Sequence, residues 1–343
     1  MNRFFYILLL SYFIVSLIDA QSMLLNLGSG TIHERMVCTE KFPCNFRLVA
    51  DLDLKSRPEK NEKNYKSFYK KGSIVQDGNG DYRIVWDERV SLFSGYNEFG
   101  RGMELSELIN FNGMMLAGDD RTGILFEILN DGKKLAPRYV LSEGDGMNSK
   151  GMKIEWLTVK DGLLWVGSFG KEFVSNGVIT KKDNMWVATI DKRGHISYYD
   201  WEDVYEIIRK ALGATYPGYC IHEAVMWSHL TRKWIFLPRR VSNEAYEEEK
   251  DEKKGSNKMV ILSEDFEVLD IVDVGVAIPE RGFSSLKFLP GSFDQIIVAT
   301  KSVEDSETDS QSSFITIFSL NGKILLKDEK IPGDHKYEGI EFV

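Results

Sequence analysis

Cysteine is scarce. The 343 residues include three, Cys38, Cys44 and Cys220, too few for a disulfide scaffold, so a packed core must supply the stability. Histidine is scarce too, and the five histidines show no metal-ligand spacing, which leaves zinc without a case. Basic charge is not in excess. Against 52 Asp+Glu stand 43 Lys+Arg, a formal charge of −9, which excludes a general nucleic-acid binder. Several catalytic signatures are missing. No G-x-S-x-G occurs, so a serine hydrolase has no elbow. Gly170-Lys171 lacks the upstream glycine and the following Ser/Thr of a phosphate loop. His222-Glu223 does not open an H-E-x-x-H, because Met226 stands in the last place. Asp77 to Glu88 imitates a calcium loop, but Tyr82 replaces the glycine that its sharp turn needs, so it reads as a hairpin turn. No N-x-S/T sequon occurs, and N-glycosylation is not expected.

What is present is ordinary globular composition, 43% hydrophobic and 28% charged. It is preceded by an address. Arg3 leads into an apolar run, Phe4 to Ile18, broken only by Ser11 and Ser16, and Ala20 follows. Residues 1–20 therefore read as a signal peptide, the run being short for the roughly 20 residues of a membrane span. An uncleaved signal anchor is the alternative, and membrane association is expected only in that case. No later stretch is long and apolar enough to span. Oxidising conditions make a small Cys38–Cys44 loop plausible and leave Cys220 as a buried thiol. Residues 21–45 form an N-terminal extension.

From residue 46 to the end the pattern is short apolar or alternating runs between Gly, Asn and Asp turns. Examples are MMLAGDDRTGILFEIL (114–129), LLWVGS (163–168), KWIFLPRR (233–240), QIIVAT (295–300) and SFITIFSLNGKILL (313–326), the last turning at Asn321-Gly322. One helix is expected, at 201–212. The polar stretches 56–66, 243–258 and 302–311 read as solvated loops. A phrase recurs: an acidic or hydroxyl residue opens an apolar strand, a turn follows, then a second apolar strand. It is seen at Ser106, Glu155, Glu223, Ser284 and Glu338, at intervals of 49, 68, 61 and 54 residues. These intervals are blade-sized. The fifth unit stops after one strand, and its missing partners lie at the start, in 46–53, 71–78 and 81–88. The expected architecture is all-β, a five-bladed β-propeller at 46–343 whose C-terminal strand closes the first blade; a large β-sandwich is the competing fold.

In a propeller the first strand of each blade lines the central channel, so those five residues would meet on one ring. Three carboxylates and two hydroxyls there repel and desolvate badly unless a hard cation joins them. An oxygen-only set of this irregular kind favours Ca²⁺. Asp51 and Asp53 share one face of a strand end. Asp119, Asp120 and Arg121 occupy a strand-end turn, and Lys150, Lys153, Arg239 and Arg240 add positive charge. Metal, carboxylates and bases together fit water attack on a phosphoanhydride.

The phrases ADLD (50–53), GRGMELSELI (100–109), DDRTG (119–123), EGDG (143–146), KIEWLTVKD (153–161), GKEF (170–173), PGYCIHEA (217–224), FLPRR (236–240), RGFSSLKF (281–288), DQIIVATKS (294–302) and KYEGIEF (336–342) resemble the calcium-activated nucleotidase, or apyrase, family. The resemblance implies a five-bladed propeller with one central Ca²⁺ that cleaves nucleoside di- and triphosphates to monophosphate and inorganic phosphate. By motif it implies calcium ligands at Ser106, Glu155, Glu223, Ser284 and Glu338, with a further contact, direct or through water, from Glu107. It implies essential acids at Asp51 and Asp120, with Asp53 in support. Arg121, Lys153 and Arg239 are expected to hold phosphate. UDP and GDP are the substrates expected to be preferred, in the secretory pathway or outside the cell, and a homodimer is left open. The competing reading is a propeller binding module whose calcium only rigidifies the channel.

Overall fold

A computed structural model describes residues 42–60 and 62–343. The expected leader and Cys38 lie outside these residues. Cys44 is disulfide-bonded, and Cys220 is a free, buried thiol.

Five four-stranded antiparallel sheets carry the fold. From the centre outward, blade one is Lys336–Phe342, Cys44–Asp51, Tyr65–Gln76 and Tyr82–Ser94. Blade two is Leu105–Phe111, Met114–Asp119, Ile124–Leu129 and Lys134–Val140. Blade three is Trp156–Lys160, Leu163–Gly167, Trp186–Ile190 and Ile196–Asp200. Blade four is Tyr219–Ser228, Lys233–Ser242, Lys258–Leu262 and Val268–Asp273. Blade five is Gly282–Phe288, Ile296–Asp305, Ser310–Ser319 and Ile324–Lys330. Each innermost strand touches the innermost strands of the blades on either side, and the ring closes. Closure is made by the last strand, which pairs antiparallel with Cys44–Asp51 from Phe46↔Phe342 to Asp51↔Lys336. That pairing removes an open sheet edge. The first strand begins at Cys44, two residues inside the segment expected to be an extension.

The core lies between blades. Phe46, Leu48, Ile315, Ile317 and Ile340 join blades one and five. Trp156, Trp227 and Trp234 fill the space between blades three and four. Helix α1 (Glu202–Ala211) has acids in its first turn and bases in its last, which suits its dipole. Its inner face sends Val204, Tyr205 and Ile208 into the tryptophan cluster. Trp201 meets Trp234 edge-on at 5.2 Å, an arrangement worth about 0.5–1.5 kcal/mol beyond the area it buries. No helix among the described residues is long and apolar enough to cross a membrane.

Residues 302–311 correct an expectation. They are not a solvated loop: the two strands of blade five continue to Asp305 and from Ser310, leaving only a short turn. A hairpin that long buries residues at its root, and the root faces the channel mouth. Segment 243–258 is mostly loop, with one short helix, α2 (Glu248–Asp251).

Candidate active site at the propeller hub

In an antiparallel pair the start of one strand lies beside the end of the next. Each blade therefore brings the start of its innermost strand and the end of its second strand to the same rim. The candidate residues divide in this way. Ser106, Glu155, Glu223, Ser284 and Glu338 sit at or near the starts of innermost strands. Asp51, Asp120 and Arg239 lie at or near the ends of second strands.

Four of the five ring candidates share one backbone feature. In blade two, Leu105 pairs with Asp119 and Glu107 with Gly118, so Ser106 is skipped. Glu223 is skipped between His222 and Ala224, Ser284 between Phe283 and Ser285, and Glu338 between Tyr337 and Gly339. In blade three Trp156 pairs with Gly167, and the Glu155 N–H donates to the same Gly167 carbonyl at 2.9 Å. The four skipped residues lie at β-bulges, which re-aim a side chain out of the ladder. All five residues are buried. Two glycines permit the crowding. A Cβ on Gly339 would lie 2.6 Å from the Glu107 carbonyl carbon, so the innermost strands of blades one and two meet backbone to backbone. A Cβ on Gly282 would lie 2.3 Å from Arg239 Cγ, so the arginine packs directly on the backbone of blade five there.

Cations interleave with the acids. Lys153 contacts both Asp120 and Glu155. Arg239 contacts Glu223, Glu338 at 2.7 Å and Glu304 at 3.2 Å. Lys336 Nζ lies 2.6 Å from Asp51, 2.8 Å from Asp53 and 2.5 Å from Glu304. Arg121 Nε donates to Glu104 at 2.8 Å and stands 3.6 Å from Asp120. Asp53 takes φ +47, and its N–H donates to Asp51 Oδ1 at 2.8 Å, which turns the chain at the strand end. A separate trio, Asp51, Asp53 and Glu104, has carboxylate oxygens within 4.8 Å of one another. Lys336, Arg101 and Arg121 already neutralise that trio.

Burial and crowding set the protonation states. Burial raises Glu155 well above the ordinary range; Lys153 opposes this, and Glu223, Asp120 and Glu338 add to it. Glu338 is pushed to about 7 by burial, with Lys336 lowering and Glu223 raising it. The ring glutamates are thus close enough to repel one another. Burial also raises Asp51 well above the carboxylate range, and Asp53, Asp120 and Glu338 reinforce it against Lys336. Asp120 goes the other way. Burial would raise it, but Lys153 and Arg121 outweigh burial and hold it low.

A cation fits the ring on two observations. Its donors are all oxygen, and the buried Ser106 hydroxyl has no hydrogen-bond partner. Ser284 Oγ lies 3.0 Å from Thr300 Oγ1, which donates to the Glu338 carbonyl, so blades five and one are tied at the ring. Glu107 is engaged elsewhere: its carboxylate accepts from Ser285 at 2.8 Å and pairs with Lys287 at 3.2 Å. Lys150 binds Glu143, away from the ring.

Sequence reasoning missed Glu104, Glu304 and Lys336. Lys336 lay in a quoted motif, opposite Asp51 once the closing strand was placed, and the register would have found it. Glu304 was hidden in a charged stretch.

Fold and site together define a β-propeller whose hub concentrates carboxylates and fixed cations for an anionic ligand. The sequence model of the apyrase family matches residues 52–343. Soluble calcium-activated nucleotidase 1 of Rattus norvegicus is 44% identical over 299 residues, 86% of this chain and 73% of the relative. An apyrase of Cimex lectularius is 42% identical, covering 89% and 84%. Apyrase apy-1 of Caenorhabditis elegans is 39% identical, covering 87% and 84%. Among solved structures, the Neurospora crassa Pan2 WD40 domain is similar at TM-score 0.37 and 8% identity, covering 84% of this chain and 68% of that one. The chain belongs to the apyrase family and is a nucleotide-hydrolysing enzyme.

Proposed function

We propose that this enzyme is calcium-dependent, cleaving nucleoside diphosphates, UDP and GDP first, and triphosphates to monophosphate and inorganic phosphate at the propeller hub. The observation that carries the reading is a buried oxygen-bearing residue from each of five blades at the start of its innermost strand, four of them at a register shift of the ladder. Ser106, Glu155, Glu223, Ser284 and Glu338 would hold the ion. When bound, Ca²⁺ supplies positive charge to a phosphoryl group in the transition state. The remaining steps belong to side chains. Lys153, Arg121 and Arg239 bind and orient the phosphates. Asp120, kept ionised by Lys153 and Arg121, fixes the lysine in place. Asp51 takes the proton of the attacking water. Burial raises its proton affinity above that of an ordinary carboxylate, which strengthens it as a base. Water oxygen bonds to the terminal phosphorus, the bridging P–O bond breaks, and the electron pair leaves with the nucleotide phosphate.

The secretory pathway is the proposed location, supported by the leader-like residues 1–20 and the disulfide at Cys44. The test is phosphate release from UDP, GDP, ADP and ATP with Ca²⁺, with Mg²⁺ alone and with chelator. Release with Ca²⁺ only, fastest for UDP and GDP, is expected. Equal release in chelator would remove the calcium requirement.

A further inference from the structure

We propose that Glu104 is a positioning residue of the reaction, holding the Arg121 guanidinium by one edge so that its terminal amines are left for phosphate; this rests on the reading above that Arg121 binds phosphate. Glu104 is fully buried, and two arginines share its carboxylate. Arg101 grips it with two nitrogens, donating from Nε to Oε1 at 2.8 Å and from Nη2 to Oε2. Arg121 donates to the same Oε2 through Nε, at 2.8 Å. An arginine tied by Nε keeps its two terminal amines for another anion. Among the described residues, the Arg121 side chain makes no other hydrogen bond, and it is 30% exposed. Its further charged neighbours are Asp120, at 3.6 Å, and Asp51, the two acids placed in the chemistry.

The other two phosphate cations are held differently. Lys153 has Asp120 and Glu155, and Arg239 has Glu223, Glu338 and Glu304. Arg121 depends on Glu104 for its one side-chain hydrogen bond, so the accuracy of Arg121 is the accuracy of Glu104. The acid is well fixed. Its carbonyl accepts from the Asp120 N–H at 3.0 Å, which joins it to the neighbour of Arg121 through the main chain. Met103, the residue before it, takes φ +59, a left-handed conformation that is strained for a long side chain. The Met103 N–H is anchored by donating to Asp119 Oδ2 at 2.8 Å. Arg101 is fixed in turn. Glu98 and Arg101 exchange two backbone hydrogen bonds, at 2.7 and 3.0 Å, around the tip Phe99-Gly100. Gly102 lets the chain fold back on that turn, since a Cβ there would lie 2.5 Å from the Tyr96 carbonyl oxygen. A tight turn thus sets Arg101, Arg101 sets Glu104, and Glu104 sets the phosphate arginine.

The test is a double-mutant cycle on kcat/KM for phosphate release from GDP in Ca²⁺. Glu104→Gln keeps the shape but puts an amide donor where one carboxylate oxygen stood, which turns away one of the two arginines. A loss of about tenfold or more is expected, the scale of a displaced substrate-positioning group. Arg121→Ala loses at least as much, and adding Glu104→Gln to it changes kcat/KM by less than about twofold. A packing role would multiply the two losses, because a loosened rim slows the enzyme whatever stands at position 121; multiplied losses overturn the proposal. So does an undiminished kcat/KM in Glu104→Gln. So does a shift in the calcium concentration that gives half-maximal activity, which would place the effect at the ion ring. Should Glu104→Gln fail to fold, Glu104→Asp, a carboxylate one methylene shorter, takes its place in the cycle and is judged by the same outcomes. A failure of the phosphate reading shows in Arg121→Ala by itself, as full turnover, and takes the proposal with it.

Discussion

Replacing Glu155 with alanine separates a cation ligand from a structural acid. Without added metal Glu155 is costly: it is buried among Glu223, Asp120 and Glu338, and its proton affinity is well raised for that reason. Removing it relieves repulsion, and Lys153 keeps Asp120 as a partner. In chelator the variant should therefore melt within about 2 °C of the wild type or above it. Calcium reverses the order. A ligand at about 100 times its dissociation constant stabilises a protein by about 2.7 kcal/mol, which at this size is a rise of roughly 5 °C. Losing one of three ring carboxylates should lower affinity enough to abolish that rise at the same calcium concentration. Scanning calorimetry of both proteins, with Ca²⁺ and with chelator, reads the crossing, and phosphate release from GDP should disappear in parallel. A Glu155→Ala protein still raised by about 5 °C in calcium would refute the assignment of Glu155 to the ion.

Asp51→Asn should keep the calcium-induced rise in melting temperature and lose at least a hundredfold in kcat, because a base typically contributes that much; full turnover would take Asp51 out of the chemistry. Glu304→Gln should lower kcat/KM about tenfold or more, since Glu304 holds both Lys336 and Arg239 in position; an unchanged value would show that those cations need no such support. The metal-free protein should lose stability as pH rises from about 5 to 7. Burial pushes Glu107 and Asp119 up to about 7, so the folded chain holds protons there that the unfolded chain has released. Each contributes a slope of about 1.4 kcal/mol per pH unit at its steepest. Melting in chelator at several pH values checks the sign, and a melting temperature that climbs across this window would contradict it.

The sequence by itself determined most of the strands, the blade-sized spacing and the closing of the first blade by the last strand, because alternation, turns and an orphan C-terminal strand are local signals. It also determined the five oxygen-bearing residues, whose place at the opening of each unit recurs along the chain. Only the tertiary structure decided which charges face one another. Glu304 stands in a polar run that looks solvated, and it becomes a hub residue because a long hairpin carries its root to the channel mouth. Lys336 reaches Asp51 because residues 285 positions apart become ladder partners when the ring closes. Glu107 meets Ser285 and Lys287 of blade five, residues almost 180 positions away along the chain. Pairing between distant strands sets these partnerships, and a pattern read along the chain carries no record of which strands will meet.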